Sequence, residues 1–263
     1  MIGSDGANYM SVEYHGEGVR NLTVSDRMTL ANLASEMGAK NAVFPVDEVL
    51  MEFLGRDAYN YKGIWSDEGA RYALQLELDL DEIVPVVSAP HNVDNVKTVA
   101  EVAGVQVMEG LIGTCTNGRI EDLRVAASVL SGRKIKEGFQ LNVIPASDKV
   151  FLQALNEGLI TVLVEAGASL LPPSCGPCLG TGLGIPASGH TVISTANRNF
   201  LGRMGNKEAS IYLASPATVA HSAISGVITD PRTETDDRKF PFSVRQSATS
   251  SISGKENRRS GNV

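Results

Sequence analysis

The spacing of apolar residues along this chain changes period several times, and each change marks an element. SDRMTLANLASEMGAK, residues 25–40, carries its apolar residues at helical intervals. Ser25 is placed to cap its start, the hydroxyl accepting from an otherwise unpaired N–H. Gly38 is placed to supply the left-handed residue that ends it. NAVFPVDEVLMEFLG then predicts a short strand and a second helix. The stretch from Tyr61 to Glu82 is polar and acidic, with one period-two run, YALQLELDL, that predicts a strand. EIVPVVSAPHNVDNV reads as a proline-broken connector, with a domain boundary expected between residues 83 and 100.

Beyond residue 100 the pattern repeats. VQVMEGLIG predicts a strand, TCTNGR a loop, and IEDLRVAASVLSG a helix closed by Gly132. FQLNVIP is a strand, and SDKVFLQALNEG a helix that Ser147 can cap. LITVLVEAG reads as a helix ended by Gly167, although its β-branched residues leave a strand open. SLLPPSCGPC and HTVISTANRNF each run from a strand into a loop. SIYLASP is a strand and ATVAHSAISG a closing helix. Strands alternating with helices at this spacing predict an α/β fold, a mainly parallel sheet covered on both faces in three α/β/α layers. We expect a partial α/β domain over residues 1–90 and an α/β domain over residues 91–232. Residues 233–263 are polar, serine-rich and weakly periodic, and are expected to form a disordered tail.

Composition narrows the classes. Of 263 residues, 43% are hydrophobic and 20% charged, which is ordinary for a soluble globular protein. A net charge of −7 argues against binding a phosphate backbone, so no nucleic-acid partner is expected. No apolar run is long enough to span a bilayer, and MIGSDGANYM has no secretory pattern, so the expected location is cytoplasmic, away from membranes. Three cysteines is an odd and small count, which favours reduced or metal-bound thiolates over disulfides.

Those cysteines carry the candidate chemistry. Cys115 sits at the strand-to-helix turn of GLIGTCTNGRIEDL; Cys175 and Cys178 sit on another turn after an apolar strand. In a parallel sheet the carboxyl ends of the strands share one edge, where ligands bind, so three cysteines distant in sequence can converge there. A closed zinc site needs four ligands, and no fourth cysteine or finger-spaced histidine is present. A redox pair would leave Cys115 without a role. Three thiolates on a four-iron, four-sulfur cluster would leave one iron open, a Lewis acid for a substrate oxygen. Spacing alone leaves cluster, zinc, redox pair and unrelated buried thiols all open. STANRNFLGRMGN adds Arg198 and Arg203 in a glycine-containing loop after another strand, able to reach the same edge and grip carboxylates bidentately. Asn32 and Glu36, four apart, project from one face of the first helix, which on its own reads as a solvated stripe.

IGTCTNGRIEDL, CGPCLGTG and STANRNFLGR, in this order and joined by LANLASEMGAK and FPVDE, resemble the aconitase superfamily. Within it they are similar to the large subunits of the 3-isopropylmalate dehydratase and homoaconitase branch. The resemblance runs from about Met1 to Arg232 and implies a fold of the aconitase iron–sulfur domain type. It implies that Cys115, Cys175 and Cys178 hold a 4Fe–4S cluster. It places Asn32 and Glu36 beside the open iron as catalytic residues, with Glu36 bonding the departing hydroxyl. It makes Asn197, Arg198 and Arg203 the substrate-carboxylate loop. The implied reaction removes water from a 2-substituted malate and re-adds it at the neighbouring carbon, isopropylmalate being the expected substrate of this di- or tricarboxylate class. The implied partner is a small swivelling subunit that brings the catalytic base. Family large subunits also carry an earlier portion with an Asp-Ser-His motif, which this sequence lacks. His15, His91, His190 and His221 lie outside the family's motifs and are expected to be structural or exposed. The chain thus reads as the later part of a large subunit, inactive alone; the alternatives are a homoaconitase or dimethylmalate dehydratase large subunit, or an inert folded α/β module.

Overall fold

A computed structural model describes residues 2–55 and 62–232 of the chain; the tail expected over 233–263 lies outside the described residues. The chain opens with strand β1 (Ser11–Glu13), helix α1 (Val24–Leu33), strand β2 (Asn41–Val43) and helix α2 (Glu48–Leu54). β1 and β2 pair in parallel as a two-stranded sheet. After them come β3 (Val86–Ser88), β4 (Val96–Thr98), α3 (Val99–Val102), β5 (Glu109–Gly113), α4 (Thr114–Asn117) and α5 (Ile120–Leu130). The chain continues with β6 (Gln140–Ile144), α6 (Asp148–Asn156), α7 (Leu159–Ala166) and β7 (Ser169–Leu170). It closes with β8 (Thr191–Ser194), β9 (Ser210–Leu213) and α8 (Pro216–Ser225).

β3 to β9 form one seven-stranded sheet in the order β4-β3-β9-β8-β5-β6-β7. From β9 to β7 all pairings are parallel; β3 and β4 add an antiparallel edge. The chain leaves β5 outward through β6 and β7, then returns to build β8 and β9 on the other side of β5. The order therefore reverses between β5 and β8, which makes the carboxyl ends of those strands a topological switch point.

Side chains alternate across this sheet as the pleat requires. Ile112, Leu141, Val143 and Ile193 point to one face, packed against Leu123 and Leu130 of α5, Leu163 of α7 and Val219 of α8. Leu111, Ile144, Val192 and Ile211 point to the other, where they meet Cys178, Ala196 and Met204 from the loops. The second, smaller core thus carries a cysteine and both functional loops directly on the sheet.

Four local expectations change. TCTNGR, read as a loop, opens with the short helix α4. α1 is capped by Thr23, not Ser25: Thr23 Oγ1 accepts from the Asp26 N–H at 3.2 Å while the Asp26 carboxylate accepts the Thr23 N–H at 2.9 Å. That reciprocal pair satisfies two free donors, which Ser25 with Met28 three residues on could not match. Ser25 is instead free to donate to Glu121 of α5 at 2.8 Å. The stretch read as a proline-broken connector is the β3–β4 hairpin, with Val87 buried and Pro85 and Pro90 just outside the paired residues. YALQLELDL forms no strand, because no described strand lies beside it to pair with.

Candidate active site

The turn after β5 is unusually tight. Gly113 has φ 142° and Thr114 φ 67°, a left-handed value that a β-branched residue rarely adopts. A Cβ on Gly113 would lie 2.1 Å from the Ile144 carbonyl oxygen, so only glycine lets the end of β5 approach β6 this closely. The Gly113 N–H donates to Thr195 Oγ1 at 2.9 Å, which ties the end of β5 to the end of β8. This constrained turn presents Cys115 to solvent and buries Thr114. Asp122, its carboxyl pushed up by burial, steadies the following turn by accepting from Asn117 Nδ2 at 3.1 Å and the Arg119 N–H at 2.9 Å.

Cys175 immediately precedes a 3-10 turn after β7 (Gly176–Leu179) that contains Cys178, with the Cys178 N–H donating to the Cys175 carbonyl at 3.1 Å. Cys175 is exposed and Cys178 buried; all three cysteines are free thiols. The loop after β8 packs directly on this turn. Gly205 approaches Gly180 so closely that a Cβ there would lie 2.5 Å from the Gly180 carbonyl oxygen. Burial pushes the Cys178 thiol above its ordinary value. The Thr114 hydroxyl, 4.0 Å away, and the Arg203 charge pull it back, and Cys115 and Cys175 push it up again. Arg203, Cys115 and Cys175 therefore all stand near enough to Cys178 to act on its charge. Arg203 also stands over the Phe200 ring, 5.4 Å from its centroid.

α1 reaches the same place from the other part of the chain. Thr29 Oγ1 donates to the Thr116 carbonyl beside Cys115 at 2.9 Å, and Arg119 Nη1 reaches that carbonyl at 2.8 Å. Docked this way, α1 and the 3-10 turn after it (Ala34–Met37, ended by Gly38 at φ 79°) present Asn32 and Glu36 to the loop after β8. Asn197 Nδ2 donates to Asn32 Oδ1 at 2.8 Å, and Arg198 Nε donates to the Glu36 carboxylate. The two side chains that spacing alone makes a solvated stripe are thus bonded to consecutive residues 165 and 162 positions further on.

The structure brings the eight sequence-selected residues into two groups that share the loop after β8: three thiols with Arg203, and the bonded pairs Asn32–Asn197 and Glu36–Arg198. Residues that sequence reading passed over hold this together. Thr29, Thr114 and Thr195 make the links described above. Asn199, fully buried, donates from Nδ2 to the Ala89 carbonyl at 2.9 Å and pins the arginine loop to the β3–β4 hairpin. The repeated Asn-Arg-Asn of STANRNF was the available signal for Asn199; a threonine before a cysteine gives none for Thr114. His190 Nδ1 contacts the buried Glu109 carboxylate at 2.5 Å, His15 stacks edge-on to Trp65 and Tyr72, and His91 bridges through its backbone to Phe200 of the arginine loop.

The donor set suits one kind of group. Among the described residues, no three Cys, His, Asp or Glu side chains close on one point as a single metal ion requires. Three free thiols on turns beside positive-φ glycines, two of them exposed, are the donor type that a thiolate-bound iron–sulfur cluster takes.

Comparison with known proteins gives an independent line. The chain matches the model of the Aconitase family (aconitate hydratase) over residues 1–104 and 95–226. It is 54% identical over 234 residues to a protein of Archaeoglobus fulgidus named 3-isopropylmalate dehydratase large subunit 2. It is 51% identical over 232 residues to 3-isopropylmalate dehydratase large subunit 1 of Methanopyrus kandleri, and 50% identical to the 3-isopropylmalate dehydratase large subunit of Clostridium beijerinckii. Each match covers 88% of this chain but only 56, 56 and 55% of the relative. The chain thus spans little more than half the length of the relatives it matches.

Proposed function

We infer that this chain, which belongs to the aconitase family, is the cluster-bearing part of a hydro-lyase that interconverts 2- and 3-isopropylmalate by removing and re-adding water. The observation that carries the reading is the convergence of Cys115, Cys175, Cys178 and Arg203 at the switch point, with Glu36 and Arg198 bonded beside them. The names of the relatives support isopropylmalate over other 2-substituted malates.

Each residue has a task in this proposal. Cys115, Cys175 and Cys178 would hold a 4Fe–4S cluster through their thiolates. When bound, that cluster supplies a Lewis-acidic iron able to polarise a hydroxyl or carboxylate oxygen. Arg203 and Arg198 bind the substrate carboxylates, their forked donors fixing the dicarboxylate in one orientation. Asn197, held by Asn32, donates a further hydrogen bond at the same place. Glu36 manages the proton at the leaving oxygen: its carboxyl gives a proton as the hydroxyl departs as water and takes it back on rehydration. Arg198 orients that carboxylate by its Nε–H. The carbon-bound proton would go to a base contributed by a small-subunit partner, in line with the relatives' designation as large subunits.

The proposal is tested by turnover. Purified alone, the chain is expected to show no isopropylmalate-dependent ultraviolet absorbance of an enoate product. Turnover should appear when the unmatched portion of the Archaeoglobus fulgidus relative and that organism's small subunit are added. Arg203→Lys should then lower kcat/KM by about a hundredfold. Full activity of the isolated chain, or of Arg203→Lys in the assembled enzyme, would refute it.

A further inference from the structure

YALQLELDL, residues 72–80, has the alternation of a strand with one apolar face: Leu74, Leu76, Leu78 and Leu80 separated by Gln75, Glu77 and Asp79. All four leucines are exposed, by 55, 48, 57 and 42%, and Ile83 and Val84 extend the strip. Between residues 73 and 78 the backbone makes no hydrogen bond to another described residue. Yet the segment is anchored at both ends. The Tyr72 hydroxyl bonds the Glu13 carboxylate at 2.5 Å and Ser66 Oγ at 2.8 Å. At the other end Leu80–Glu82 form a 3-10 turn that Asp79 caps, accepting the Asp81 N–H at 2.9 Å. Leu80 also lies against Gly18. Single exposed leucines are ordinary; a continuous strip beside an unpaired backbone is a template for another strand.

We propose that residues 72–80 are a docking strand that pairs, by strand addition, with the portion of an aconitase-family large subunit that this chain does not span. The length of the relatives chooses this occupant. The chain covers only 56% of the Archaeoglobus fulgidus relative, so close to half of such a protein is left to supply the neighbour. Charge disfavours the parallel in-register pairing of a second copy, which would set Glu77 and Asp79 each against itself. The partner strand carries apolar residues that cover the leucines and basic or neutral side chains opposite Glu77 and Asp79. The inference rests on membership of the family and on neither the cluster nor the reaction.

The test mixes the full chain with the recombinant portion of the Archaeoglobus fulgidus relative that lies outside the matched region, and follows amide exchange by mass spectrometry. The expected result is a one-to-one complex in which the amides of residues 73–79 exchange at least about tenfold more slowly. The Leu74→Asp/Leu76→Asp variant should keep the melting temperature of the free chain, both sites being exposed, and should bind about a hundredfold more weakly. Four results would overturn the proposal: no complex; a complex that leaves 73–79 exchanging as before; undiminished binding by the double variant; or protection of 73–79 by the chain alone as its concentration rises, which would identify a second copy as the occupant. Iron uptake is not read in any of these measurements, so failure of the cluster reading leaves this test intact.

Discussion

Gly104 and Gly113 both take positive φ, at 86° and 142°, but a side chain at Gly104 would meet nothing within 4 Å while one at Gly113 would strike the Ile144 carbonyl. Conformational strain alone therefore separates Gly104→Ala from wild type, at about 1 kcal/mol. Gly113→Ala adds a steric clash that the β5–β6 pairing must open to relieve, and should cost at least about 3 kcal/mol. Urea unfolding of the two variants measures both. Arg27, buried, forks onto Asp47 at 2.8 and 2.7 Å and also donates to the Leu22 and Val19 carbonyls. That hydrogen-bonded charge, more than the Leu50 N–H and against the pull of burial, holds the Asp47 carboxyl below the usual carboxylate range. A depressed carboxylate contributes stability above its unfolded value of about 4 and loses it as pH falls through the folded value. Asp47→Asn should thus cost about 3 kcal/mol at pH 7, because it strands a buried guanidinium, and the gap to wild type should narrow below about pH 4. Denaturation midpoints across a pH series decide it; a gap that stays constant down to pH 2 would contradict the assignment. The cysteines and arginines announced themselves by residue type and spacing, whereas Thr29, Thr114 and Asn199 did not. Their work is done by hydrogen bonds to partners 64 to 110 residues away, and nothing local encodes such partners.

The elements best written in the sequence are those with caps. Ser147 caps α6, accepting the Val150 N–H at 3.3 Å, and Gly167 and Gly226 end α7 and α8 in the left-handed conformation. α5 was equally plain, since its apolar residues recur on one face; Leu123 and Leu130 are fully buried there, and Val125 points outward. Leu123→Ala should cost about 3 kcal/mol through lost contacts and a cavity under the sheet, and Val125→Ala less than about 0.5 kcal/mol. Equal losses in thermal unfolding would mean that α5 is not seated as described. The β3–β4 hairpin was not legible, because prolines at 85 and 90 mask two three-residue strands whose pairing depends on β9. YALQLELDL failed in the opposite sense: its alternation is genuine, but a strand exists only where a neighbour accepts its hydrogen bonds.

Across the whole molecule, the loops that matter leave the sheet where its strand order reverses. Cys115 follows β5 and the arginine loop follows β8, so adjacent parallel strands deliver them side by side, while Cys175 and Cys178 arrive from β7 over the smaller core. α1 brings Asn32 and Glu36 to the same edge through Thr29 and Ser25. Convergence of this kind could be anticipated from parallel-sheet topology, but the bonding of Asn32 to Asn197 and of Glu36 to Arg198 could not, because it joins separate sheets. The central claim is that these three thiols hold a cluster, and anaerobic reconstitution with iron and sulfide tests it most directly. The predicted outcome is a broad visible absorbance with about four irons and four sulfides per chain, lost in each of Cys115→Ala, Cys175→Ala and Cys178→Ala while the far-ultraviolet circular dichroism stays that of the native chain. Uptake of one zinc without iron, or the same iron content in the three alanine variants, would contradict it.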